Sequence, residues 1–243
     1  MKLIAAQIRS TPGDIEKNIA RHLDVIHLAA RQGANLLLFP ELSVTGYEPR
    51  LAETLAVHPS DDRFDEFQVL SDRYGMLIAV GAPTKGLQGT EISMIAFQPG
   101  LARTAYSKQQ LHADELPFFT PGTKGCVFEH ANTVLAPAIC YESLQLSHAE
   151  HAAKSGAQVY LASVAKSERG VKSGYSHYPM IARKLSMTVL MANCVGAADD
   201  YIGAGQSAVW NRDGELVCSL DATQEALVAY DLQTGEASIF SLA

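Results

Sequence analysis

The stretch Val134-Leu135-Ala136-Pro137-Ala138-Ile139-Cys140-Tyr141-Glu142 decides how this chain is read. It opens as an apolar run of strand type, with β-branched Val134 and Ile139 at its two ends. It breaks off in a thiol, a phenol and a carboxylate. Ser143 and a helix-like segment, Gln145 to Lys154, follow. A thiol at the C-terminal end of a buried strand, just ahead of a helix N-terminus, is both reachable and electropositively placed. Such placement lowers a cysteine pKa and makes a nucleophile. The competing reading is an ordinary core cysteine, since free cysteines are commonly buried. This stretch alone favours the core reading, and the rest of the chain reverses it.

Working outward, the N-terminal half alternates strands and helices. Residues 2 to 8 read as a strand. Asp14 is placed to cap a helix over 15 to 32, in which Ile15, Ile19, Leu23, Ile26 and Ala30 recur at helical spacing before Gly33. Leu36-Leu37-Leu38-Phe39 is wholly apolar, as a strand covered on both faces is. It stops at Pro40, and Glu41 comes next. Open α/β sheets place ligand groups at such strand ends, and desolvation there raises a carboxyl pKa as a general base requires. The competing reading is a solvated loop glutamate. A helix over 61 to 74 and a strand over 76 to 82, ended by Pro83, follow. Strands over 92 to 97 and 102 to 107 form a hairpin around Pro99-Gly100, and Lys108 comes directly after it. Read alone, Lys108 is a surface lysine.

Leu111 to Gly125 is a long loop rich in Pro, Gly and aromatics, and it contains Glu115, Phe118 and Phe119. Loops of that length are uncommon unless functional. Beyond Cys140 the pattern predicts strands over 158 to 162, 188 to 193, 208 to 210, 216 to 220 and 226 to 231. It also predicts a basic loop over 166 to 177 carrying Lys166, Arg169 and Lys172, and a helix over 179 to 186. One α/β domain over 1-243 is the simplest organisation.

The totals narrow the function classes. With 243 residues the chain buries a core without staples. Its net charge of -7 argues against a general nucleic-acid binder. The four cysteines, at 126, 140, 194 and 218, form no CxxC pair and no zinc spacing, which suits a reducing compartment. No segment approaches the length of a membrane span, and the first residues are too short an apolar run for a signal peptide. The expectation is a cytoplasmic protein that meets no membrane.

Glu41, Lys108 and Cys140 each follow a strand. Together they supply a base, a cation for an oxyanion and a nucleophile, the set that acyl transfer through a thioester requires. At this point the chain resembles the nitrilase superfamily, the carbon–nitrogen hydrolases, over nearly its whole length. Phe39-Pro40-Glu41 is similar to the segment carrying that family's catalytic glutamate, and Tyr106 to His112 to the segment carrying its lysine. Glu115, six residues before Pro121, matches a second glutamate. Ile139-Cys140-Tyr141-Glu142 resembles the nucleophile segment. Asn193-Cys194-Val195-Gly196, then Gly205-Gln206-Ser207 with Asp213-Gly214, resembles a late signature. The chain departs from the family in its short loop between Lys108 and Glu115, and in Ser186, which stands where an Asn is frequent.

The resemblance implies a four-layer α-β-β-α sandwich, no metal or organic cofactor, and a homodimer or higher homo-oligomer. It implies catalytic roles for Glu41, Lys108, Cys140 and Glu115 and a small-molecule amide as substrate. Tyr141, Glu142, Phe119 and Arg169 are the candidates for substrate contact, although Glu142 also suits a supporting role at the nucleophile turn and the aromatics also suit anchoring of their loop. The implied reaction is hydrolysis of a small amide or N-carbamoyl compound. The alternatives are a nitrilase or acyltransferase with the same triad, or a catalytically silent binding module. The basic loop is open to two readings, a merely solvated segment or a contact for a substrate carboxylate. Replacing Arg169 by Ala separates them: a raised KM for carboxylate-bearing amides supports contact, and an unchanged KM removes it.

Overall fold

The computed structural model describes residues 1–242. In chain order the strands and helices are β1 (Lys2–Gln7), α1 (Ile15–Arg31), β2 (Leu36–Leu38), α2 (Ala52–Leu55), α3 (Asp65–Tyr74), β3 (Leu77–Lys85), β4 (Thr90–Phe97) and β5 (Thr104–Ser107). There follow β6 (Phe128–His130), β7 (Thr133–Ile139), α4 (Leu146–Lys154), β8 (Val159–Val164), α5 (Glu168–Leu185) and β9 (Thr188–Asn193). The chain closes with β10 (Val195–Ala198), β11 (Tyr201–Ala204), β12 (Ala208–Trp210), β13 (Leu216–Ser219), β14 (Ala226–Asp231) and β15 (Ala237–Ser241).

Beside a two-stranded sheet, β10-β11, two large sheets form, ordered β15-β14-β1-β2-β3-β4-β5 and β13-β12-β9-β8-β7-β6. Their centres are parallel, β1-β2-β3 in one and β7-β8-β9 in the other. Successive side chains on these strands face opposite ways. Leu36 and Leu38 on β2 therefore join Leu135, Leu161 and Leu190 of the other sheet in one apolar layer. Leu37, between them, packs with Ile19, Ile26, Phe67 and Leu70 on α1 and α3. On the far side, Tyr160, Ala162 and Met191 pack with Ala149, Tyr178 and Ile181 on α4 and α5. The result is the α-β-β-α sandwich expected. Asp14 caps α1 by accepting from the Lys17 N–H. Ser186 closes α5 in the left-handed region at φ 52°, its N–H bonded to the Ala182 carbonyl.

Three expectations change. The basic loop and the short helix after it are one helix, α5, with Pro179 inside it. Proline is favoured at a helix start, so Pro179 and the helix-weakening Gly170 and Gly174 ahead of it suggested a helix beginning only there. Packing overrides that preference, since a methyl at Gly174 would lie 2.8 Å from the Tyr178 ring. The third strand runs through Pro83 to Lys85, and the Pro83 carbonyl accepts from the Val57 N–H. The hairpin β10-β11 and the edge strand β15, both short and weakly apolar, were not expected from the sequence.

One close approach sets the position of Glu41. Gly81 on β3 lies under the turn after β2, where an added methyl would stand 2.4 Å from the Leu42 nitrogen and 2.5 Å from the Pro40 oxygen. Both contacts are backbone, so nothing flexible can move aside. Gly81→Ala should cost about 1–3 kcal/mol of stability as overpacking. Gly125→Ala, where the nearest atom lies at 3.8 Å, serves as the control. Thermal melts that fall by several degrees for the first and not for the second are expected; equal melts would remove the constraint.

Candidate active site

The C-terminal ends of β2, β5, β7 and β8 meet at one place. Lys108 follows β5 and is fully buried. Its ammonium donates to Glu41 Oε1 at 2.8 Å and to Glu115 Oε1 at 2.6 Å. Glu41 Oε2 accepts from the Ala165 N–H at 3.2 Å. Glu115 also accepts from the Tyr47 hydroxyl at 3.0 Å and the His112 N–H at 2.7 Å. Deleting either carboxylate would leave a buried charge undercompensated, at a cost of about 3–5 kcal/mol.

Cys140 sits at φ 45°, a conformation that strains a residue with a Cβ. The N–H of Cys140 is bonded to Ser163 O, and its carbonyl accepts from the Ser143 hydroxyl and N–H. The sharp turn aims the thiol into a cleft of about 720 Å³ that is also lined by Tyr47, Glu115, Phe118, Tyr141, Lys166, Arg169 and Tyr201. The Tyr141 N–H, next along the turn, has no hydrogen-bond acceptor among the described residues, so it is free to serve an oxyanion. Lys166 is 4% exposed, and its Nζ lies 3.8 Å from Cys140 Sγ.

Burial and mutual charge set the ionisation of these groups. Burial pushes the Glu41 carboxyl above the ordinary carboxylate range against the pull of Lys108, and Glu115 adds to the rise. Burial, and after it Glu41, push the Cys140 thiol up to about 11 against the lowering effect of Lys166 and Lys108. The resting thiol therefore carries its proton at neutral pH. Burial opposes the charge on both lysines; Glu41, Cys140 and Glu115 outweigh it at Lys108, and Cys140, Tyr178 and Glu41 outweigh it at Lys166, so each is held above an ordinary lysine. A protonated thiol beside a carboxylate, with an ammonium and a free N–H close by, can pass its proton to the carboxylate as its sulfur attacks a carbonyl carbon.

The four residues expected to be catalytic are thus brought together. Of the substrate-contact candidates, Tyr141 and Arg169 line the cleft. Phe119 does not: it is buried between the sheets, and its neighbour Phe118 faces the cleft instead. Glu142 does not either. Its carboxylate is wholly enclosed, accepting from the Tyr106 hydroxyl and from the N–H groups of Ile139, Gln109 and Gln110. That single side chain ties the segment after Lys108 to the strand that delivers Cys140. Lys172 points away and pairs with Glu168 on the surface.

One residue was missed as part of the site: Tyr47 ends the turn that begins at Glu41, and its hydroxyl fixes Glu115. Lys166, read as part of a basic loop open to a substrate carboxylate, stands two residues beyond β8, and placing that strand's end at 162 concealed its position beside the thiol. The late signature explains how Lys166 is held: Asn193 accepts from the Lys166 N–H at 2.7 Å and donates to the Lys166 and Gly205 carbonyls. Among the described residues no group of three or more His, Cys, Asp or Glu side chains is arranged to hold a metal ion.

Comparison with known proteins bears on the family and the fold. The family model described as carbon-nitrogen hydrolase matches residues 2–238. The amidase from Nesterenkonia sp. AN1 superposes with a TM-score of 0.85 at 25% identity, over 96% of this chain and 92% of that one. A variant of that amidase, at 25% identity and a TM-score of 0.84 over 96% and 90% of the two chains, carries the acetamide moiety of fluoroacetamide added covalently at its active site cysteine. Among curated proteins, a glutamine-dependent NAD(+) synthetase of Acinetobacter baylyi is 27% identical over 93% of this chain and 43% of its own length. A probable nitrilase of Schizosaccharomyces pombe is 25% identical over 98% of this chain and 91% of its own. The chain spans less than half the length of the synthetase it matches. A match over residues 2–238, on a sandwich of this type, places the chain in the carbon–nitrogen hydrolase family, as an amidohydrolase acting on carbon–nitrogen bonds other than peptide bonds.

Proposed function

We propose that the protein hydrolyses a small amide or N-carbamoyl compound through a thioester on Cys140. The observation that carries this reading is the buried contact of Lys108 with both Glu41 and Glu115 beside a thiol turned into the cleft. The Cys140 thiol gives its proton to Glu41 as sulfur bonds to the acyl carbon. Lys108 and the Tyr141 N–H hold the oxyanion, each worth about 3 kcal/mol. Glu41 then returns the proton to the leaving nitrogen, and ammonia or an amine departs. Glu41 takes a proton from water as it attacks the thioester, the acid is released and the thiol is restored. Glu115 keeps Lys108 and the attacking water in place.

The similarity to glutamine-dependent synthetases favours a second reading of the substrate, in which the amide is glutamine and the ammonia passes to a further reaction. Both readings share the acyl-enzyme. The four free thiols support a cytoplasmic, reducing location. The apolar layer shared by the two sheets supports treating 1-243 as one catalytic domain. The homodimer rests on resemblance alone.

Intact mass after brief exposure to a panel tests the proposal, with ammonia followed in parallel. The panel holds short aliphatic amides, glutamine, an N-carbamoyl amine and one nitrile. The expected result is a mass increment on Cys140 that turns over with ammonia release and vanishes in Cys140→Ala. No adduct and no ammonia across the panel, with Cys140 inert to iodoacetamide, would leave the binding-module alternative standing.

A further inference from the structure

Lys166 neither carries a proton nor holds the oxyanion in the reaction just described. Its side chain is buried, and yet among the described residues no carboxylate lies within 4.0 Å of its ammonium. Among those residues the polar contact of its Nζ is the nucleophile's sulfur at 3.8 Å. Most of the acidic groups of the cleft have a partner. Glu41 and Glu115 share Lys108, Asp114 lies 3.2 Å from His112, and Asp199 lies 3.9 Å from Arg50. Asp200 lines the mouth.

The ammonium is aimed by the fold. The Lys166 side chain lies across the first turn of α5, where a methyl on Gly170 would stand 3.1 Å from Lys166 Cβ and 3.3 Å from Cγ. That helix is 18 residues long and begins at the cleft, where Ser167, Arg169 and Gly170 line the wall. Ser167, at the N-cap position, makes no side-chain cap. The first N–H groups of a helix have no partner within it, and they carry its positive end. An ammonium with no carboxylate in contact and an open helix N-terminus thus meet beside the thiol, in a wall that Arg169 also lines. Anions bind where these features coincide.

We infer that Lys166 and the first turn of α5 form an anion subsite next to Cys140, made for a carboxylate carried on the acyl part of the substrate a short way from the scissile carbonyl. The inference rests on the acyl-enzyme reading and names its substrate class, the monoamide of a short dicarboxylic acid. An acyl carbon bonded to Sγ brings its first substituents within reach of Nζ. The α-carboxylate of glutamine, at the far end of its side chain, would instead lie toward the mouth.

Two measurements test this. The first compares kcat and KM for malonamate with those for isovaleramide, a neutral amide of similar shape, in the wild type, Lys166→Met and Lys166→Arg. The second compares alkylation of Cys140 by iodoacetate and by iodoacetamide, which needs no turnover. In the wild type malonamate is the better substrate and iodoacetate the relatively faster reagent. Lys166→Met should raise KM for malonamate and lower the iodoacetate-to-iodoacetamide ratio, each about tenfold or more, and Lys166→Arg should restore both in part. Equal slowing of both reagents in Lys166→Met would show a lysine that acts on the thiol alone, and would overturn the subsite. Turnover of neutral amides with no preference for malonamate would overturn it while leaving the amidase reading in place. A thiol inert to both reagents would remove the two together.

Discussion

Everything at the site depends on a lysine that has no access to water. Lys108 is held by two carboxylates within the sandwich, and neither the lysine nor its partners could be buried alone. This one contact fixes three segments far apart in sequence: the turn after β2, the end of β5 and the loop around Glu115. It also keeps Glu41 ionisable. Burial raises the carboxyl and Lys108 lowers it, and the balance leaves a group able to take a proton and to give it back.

The parallel centres of the two sheets make the contact possible. β2 and β8 end on the same side of the sandwich, and Ser163 on β8 donates to the Phe39 carbonyl just past β2 at 2.9 Å. Ala165, two residues on, donates to Glu41. Cys140 arrives from β7, beside β8, on a strained turn that Glu142 holds from behind. With two carboxylates, two ammonium groups and a neutral thiol, the set carries no net charge. Passing the thiol proton to Glu41 keeps it neutral, so the first chemical step places no new net charge in a low-dielectric interior.

Much of this was legible in the sequence because it is local. Leu36 to Phe39, Thr133 to Ile139 and the first one or two residues after each can be read from apolar runs that stop abruptly. Glu41, Lys108 and Cys140 were found in that way. What escaped depends on distant partners. Glu142 is acidic and adjacent to the nucleophile, so it suggested substrate contact, but its hydrogen bonds come from Tyr106, Gln109 and Gln110, more than thirty residues away. Phe118 and Phe119 sit in an irregular loop with no period to tell which faces in. Gly81 matters only because another strand's turn crosses it. Lys166 obeys the same strand-end rule as the other three, and it reads as one lysine of a basic loop only when two residues of strand, Ser163 and Val164, are left out.

The central claim is that Glu41 carries a proton between the thiol and the leaving nitrogen. The most direct test is Glu41→Gln, with amide hydrolysis and iodoacetamide alkylation of Cys140 measured side by side and the fold checked by circular dichroism. Burial still holds the thiol pKa up, but removing the carboxylate takes away the charge that adds to it, while Lys108 and Lys166 remain to stabilise a thiolate. Alkylation should therefore stay within about tenfold of the wild-type rate. Hydrolysis should fall by about 10²–10⁴-fold, because no group is left to protonate the leaving nitrogen. Hydrolysis near the wild-type rate, or alkylation lost in step with hydrolysis in a folded variant, would contradict the account.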